Sequence, residues 1–150
     1  MAESSTEITT LNTLTATLID SVTGFRDAAE HTESTRFQLL FRKFADERSQ
    51  CVETLRQQVT TLGGEPEGDS SFMGKTHQRF LDLKAAVTGR DDKAIINEVE
   101  RGEDYLKEKF ETALKDIELS SGTRAVIEQA FTSVRHGHDQ MSNLKYGMDA

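Results

Sequence analysis

The chain has 150 residues, 35% hydrophobic and 29% charged, with one proline, one cysteine and a formal net charge of −8. That length suits a single domain with a real core, and the scarcity of proline favours helices over turn-rich sheet. The acidic balance, with an isoelectric point near 5.0, argues against nucleic acid, whose binders need a basic face to displace counterions from phosphates.

The lone Cys51 excludes an internal disulfide, and its place on an apolar helix stripe suits a small hydrophobe better than a reactive thiol. The N-terminal decapeptide is polar and carries acids, unlike a signal peptide. No apolar run approaches the ~20 residues that cross a bilayer. The expectation is a soluble, cytoplasmic single domain over residues 1–150, without nucleic-acid or membrane partners.

In chain order, Ser4 and Glu7 have capping-box spacing, and Ile8, Leu11, Leu18, Val22, Phe25 and Ala29 then mark a first helix, with Thr15 in the gap of the stripe. After a short turn over 31–34, a second helix carries Phe37, Phe41, Phe44, Cys51, Leu55 and Leu62. Gly63 and Gly64 end it before a loop containing Pro66. A shorter helix is expected over about 71–88, stopped by Gly89. The next helix presents Ile96, Val99, Leu106, Phe110, Ala113 and Ile117, and Ser120 or Ser121 starts the last, through Ile127, Phe131, Val134 and Met141. A loose tail is expected after about 144.

Four long helices and one shorter segment predict an all-α, ferritin-like four-helix bundle. The shorter helix, about 25 Å long at ~1.5 Å per residue, would serve as a crossover between the second and third long helices. The small residues Ser21, Gly24 and Ala28 form a strip that would admit a close neighbouring helix.

Three polar residues interrupt the apolar stripes: Arg48 on the second helix, Glu103 on the penultimate and His138 on the last. Counted from the turns, they agree in height to within about one helical turn, ~5.4 Å. They therefore predict one buried polar layer. Ferritin-like di-metal sites draw on a carboxylate from each of two helices and a Glu-x-x-His pair from each of the other two. The sequence has no Glu-x-x-His, since Glu47 is followed by Gln50 and His138 is preceded by Arg135. Arginine has no lone pair for a metal and opposes a cation with its own charge. An internal salt bridge is the favoured reading. A metal site of Glu47, Glu103 and His138, with His77 reaching Glu47 from the crossover, is the alternative.

The ordered set Asp20, Gly24-Phe25-Arg26, Ala28-Ala29-Glu30, Glu47-Arg48, Leu62-Gly63-Gly64, Pro66, Gly74, His77, Asp82-Leu83-Lys84, Glu98, Glu100-Arg101-Gly102-Glu103-Asp104 and His138-Asp139 spans nearly the whole chain. It resembles an uncharacterised bacterial family grouped with the ferritin-like proteins and labelled a domain of unknown function. The resemblance implies the bundle and a bacterial origin, but no activity. Gln78 and Phe80 depart from it, at positions where arginine and tryptophan are expected.

No nucleophile with its base and no phosphate-cradling loop stands out. The expected function is accordingly a non-enzymatic bundle, stress-related, acting through helix-face contacts or self-association as a homo-oligomer, with a dimer favoured and no cofactor. The alternative is a ferritin-like protein binding iron or another transition metal for oxidase or storage chemistry. A Dps-like DNA-protecting shell suits the bundle but not the charge of −8.

Overall fold

The computed structural model describes residues 2–66, 92–116 and 118–149. Four long helices, α1 (Ala2–His31), α2 (Thr35–Thr61), α3 (Asp92–Leu114) and α4 (Ser121–Asp149), account for most of these residues, and no strand occurs among them.

Local chemistry fixes the helix ends. The Ser34 hydroxyl accepts the Phe37 N–H at 3.2 Å and caps α2. Gly63, at φ 86°, closes the helix in the left-handed region open to glycine. Gly64 follows because a Cβ there would lie 2.8 Å from the Ile8 side chain. Ser120 caps α4 by accepting the Thr123 N–H at 3.4 Å. Glu7 does not close a capping box on its own helix. It is buried, and its carboxylate accepts the Ser120 N–H at 2.5 Å, tying the start of α1 to the start of α4. α4 also continues past residue 144, where a loose tail is expected from sequence. Leu144 still packs on the core, and the Lys145 ammonium reaches Glu100 at 3.3 Å, so the last turns keep tertiary partners.

α1 packs on α2 and α3, and α4 packs on α3 and α2. α2 and α3 thus occupy opposite corners of the bundle. At one end, the Thr32 hydroxyl donates to Asp92 at 2.5 Å, joining the end of α1 to the start of α3. At the other, Gln58 donates to Thr123 at 3.1 Å, joining the end of α2 to the start of α4. α2 and α3 therefore run in the same direction, with the end of one and the start of the other at opposite ends of the bundle. The crossover helix expected over about 71–88 lies outside the described residues.

The core has two apolar blocks. One gathers Leu11, Leu18, Leu55, Leu106, Phe110 and Ile127 near the α3–α4 turn. The other gathers Val22, Phe25, Phe41, Phe44, Ile96 and Met141 near the α1–α2 turn. Thr15, in the gap of the α1 stripe, is fully buried because its hydroxyl donates back to the Leu11 carbonyl at 2.7 Å.

Candidate functional site: a buried ion pair between two apolar blocks

The seam between the blocks is occupied by Ser21, Arg48, Glu103 and Gly137, one residue from each helix. Arg48 and Glu103 have no exposed side-chain surface. The guanidinium donates through Nη1 to Glu103 Oε2 at 2.8 Å and through Nη2 to Oε1 at 2.5 Å, a bidentate fork on the carboxylate. Nη1 also donates to the Ser21 hydroxyl at 2.8 Å, and the cation stands 5.4 Å from the centre of the Phe25 ring. Its Nε–H finds no acceptor among the described residues. Burial works against the charge on Arg48. The adjacent Glu103 carboxylate and the hydrogen bonds to it outweigh that cost and hold the arginine pKa above its ordinary value.

The pair joins α2 to α3 diagonally across the core, and there is room for it because residue 137 has no side chain. A Cβ on Gly137 would lie 2.3 Å from Arg48 Nη2, 3.0 Å from Glu103 Oε1 and 3.4 Å from Phe44.

His138, expected in this layer, stands outside it. Its side chain retains 14% exposure, and it turns to the surface between Asp104, 2.5 Å from Nε2, and Asp139, 3.3 Å from Nδ1. The reason is a choice between two overlapping stripes on α4. Residues 127, 131, 134, 138 and 141 satisfy helical spacing, but so do Ile127, Ala130, Val134, Gly137 and Met141, and only the latter set is buried throughout. The small residues let α4 approach, while Phe131 and His138 lie on its flank. Ser21 was visible in sequence only as a member of the small-residue strip. Gly137 had a signal as well, since it too lies three residues beyond Val134.

Glu47 is half-buried and apart from the fork. It lines an open groove of about 200 Å³ together with Gln50, Cys51 and Thr54 of α2 and Ala130 and Ser133 of α4. Burial pushes the Cys51 thiol above its usual range, despite a hydrogen bond with Ser133 and the nearby Arg48. His77 lies outside the described residues.

The described members of this donor set, Glu47, Glu103 and His138, do not fit a metal. Both oxygens of Glu103 are taken by a guanidinium that carries a permanent positive charge, and His138 and Glu47 face elsewhere. Among the described residues no three His, Cys, Asp or Glu side chains gather where an ion would bind. None of the described helices is long and apolar enough to cross a membrane.

Residues 6–116 match the family described as Domain of unknown function (DUF2383). No curated protein matches the chain in sequence. Among solved structures it is similar to Dps from Thermosynechococcus elongatus, with a TM-score of 0.74 and 15% identity over 95% of this chain and 92% of that one. At that identity the likeness speaks for the fold alone, an all-α ferritin-like four-helix bundle.

Proposed function

Since the chain belongs to the DUF2383 family, whose description assigns no activity, we propose a role read from its own core: a non-enzymatic ferritin-like bundle whose polar layer is structural and which works by self-association. One observation carries the reading. The residues that interrupt the apolar stripes on α2 and α3 neutralise each other as a bidentate Arg48–Glu103 pair. A fixed internal cation does for that carboxylate what a metal would otherwise do, and its permanent charge repels any ion that would share the site.

A cytoplasmic homo-oligomer, with a dimer as the smallest unit, completes the proposal. The charge of −8 argues against nucleic acid as its partner. The alternative, iron or another transition metal bound in the bundle, is compatible with the fold class but not with the described donor set. Elemental analysis of protein purified without a histidine tag tests it. The expected result is no stoichiometric iron, manganese or zinc. One or two equivalents per chain, lost in both Glu103→Ala and His138→Ala, would overturn the reading.

A further inference from the structure

We infer that the exposed face of α2 is a two-fold dimer interface, on which two copies of this chain cross antiparallel over the Phe44–Ala45 peptide. The inference rests on the self-association proposed above and assigns the surface that carries it.

α2 has two stripes. One is the buried series of Phe37, Phe41, Phe44, Arg48, Cys51 and Leu55. The other comprises Arg36, Leu39, Lys43, Asp46, Gln50 and Glu53, also in alternating steps of three and four, and all six are exposed. Such spacing makes a continuous seam along one side of a helix. Leu39 stands 63% exposed in this seam.

The seam is polarised. Its first half carries Arg36 and Lys43 around Leu39, with Arg42 beside them, and its second half carries Asp46 and Glu53 around Gln50, with Glu47 beside them. Three cations are too few to hold a polyanion on a chain of net charge −8. They suit a matching set of three anions. The step sequence of three, four, three, four, three reads the same backwards. A second copy of α2 laid antiparallel therefore brings seam residue to seam residue. Arg36 meets Glu53, Lys43 meets Asp46 and Leu39 meets Gln50, and each meeting occurs twice. This self-complementarity is what an isologous two-fold contact requires. In a parallel arrangement the same seam would set like charge on like.

The apolar component falls at a suitable place. Gln50 stands on the lip of the groove of about 200 Å³ that Glu47, Cys51 and Thr54 line with α4. The second copy's Leu39 arrives there, so each protomer offers one leucine and one recess. The intramolecular pair of Glu53 with Arg56, at 3.3 Å on the surface, is weak enough to yield. Exposed pairs of this kind contribute more to orientation and partner choice than to affinity.

Charge reversal with complementation tests the assignment. Sedimentation velocity on the full chain should show a wild-type dimer that loosens as salt rises. Arg36→Glu/Lys43→Glu makes the seam uniformly acidic, and Asp46→Lys/Glu53→Lys makes it uniformly basic. Each variant alone should dimerise at least ~10-fold more weakly. Mixed one to one, the two should recover a dimer containing one of each, which also shows that both are folded. Leu39→Asp should weaken the dimer and should not be rescued by mixing with either. A wild-type chain that stays monomeric at micromolar concentrations would refute self-association altogether. A wild-type dimer that both reversals leave equally tight would keep self-association and overturn this interface. So would two monomeric variants whose mixture remains monomeric.

Discussion

Gly137→Ala isolates the physics of the buried layer, because it adds one methyl group and no charge. In an unobstructed helix interior the change would stabilise by about 1 kcal/mol, the difference in helix propensity. Here the new Cβ would sit 2.3 Å from Arg48 Nη2 and 3.0 Å from Glu103 Oε1. Neither group can retreat far, since the guanidinium is also held by Ser21 and flanked by Phe25. The fork must open or α4 must shift. Breaking a buried pair costs about 3–5 kcal/mol, so the net loss should be about 2–4 kcal/mol after the propensity gain. With a urea slope of about 2 kcal/mol per molar, the unfolding midpoint should fall by roughly 1–2 M. Gly122→Ala is the control, as its nearest neighbour would be Gln58 Nε2 at 3.8 Å, and it should be neutral or stabilising. In an Arg48→Ala background Gly137→Ala should lose most of its cost, because the struck group is gone. A Gly137→Ala protein as stable as wild type would refute the account of why α4 carries glycine at this height.

Three further outcomes follow from the same physics. Arg48→Ala should destabilise by about 3–5 kcal/mol, whereas Arg48→Met/Glu103→Leu, which removes both charges at similar volume, should be near neutral or stabilising in urea unfolding. Partial desolvation at an otherwise exposed position and the neighbouring Glu30 carboxylate hold Asp27 above the ordinary aspartate pKa, despite His31 nearby. A carboxyl raised in the folded state favours folding when protonated and loses that contribution as pH rises through its folded pKa. Asp27→Asn should therefore raise the melting temperature at neutral pH, with the advantage shrinking as pH falls through the raised Asp27 pKa and gone below the usual aspartate range. The Cys51 thiol, raised by burial, should react with iodoacetamide at least ~10-fold more slowly in the native chain than in urea at the same pH.

The bundle was legible because its helices obey a strong period and end in plain punctuation. Ser34, Gly63 and Ser120 act in the structure at the boundaries where the sequence places them. Arg48 and Glu103 could be singled out for a related reason: a charged residue on an apolar stripe breaks a regular pattern. His138 misled because steps of three and four leave two candidates on every other turn. Phe131 does pack on the core, at its edge against Phe110, with Ala130 in the buried place beside it, but between His138 and Gly137 chemical interest selects the wrong one. Space decides it, and the space set by Arg48 on another helix is not written in α4. Glu7 shows the same limit. Its spacing to Ser4 suggests a local cap, but its partner, the Ser120 N–H, is 113 residues away.

The position of the ion pair between two blocks of hydrocarbon has a consequence for how the helices find their alignment. Leucines and phenylalanines repeating about every seven residues let a helix slide by two turns and still lay apolar on apolar. Arg48 and Glu103 remove that degeneracy. A displaced α2 would carry a guanidinium into a phenylalanine-lined block while stranding a carboxylate on α3, each costing several kcal/mol without its counterpart. The slip is most dangerous between α2 and α3, which stand at opposite corners and have little direct packing to index one against the other. The pair acts there as a key in a keyway, admitting one vertical alignment of the two helices and rejecting its near-repeats.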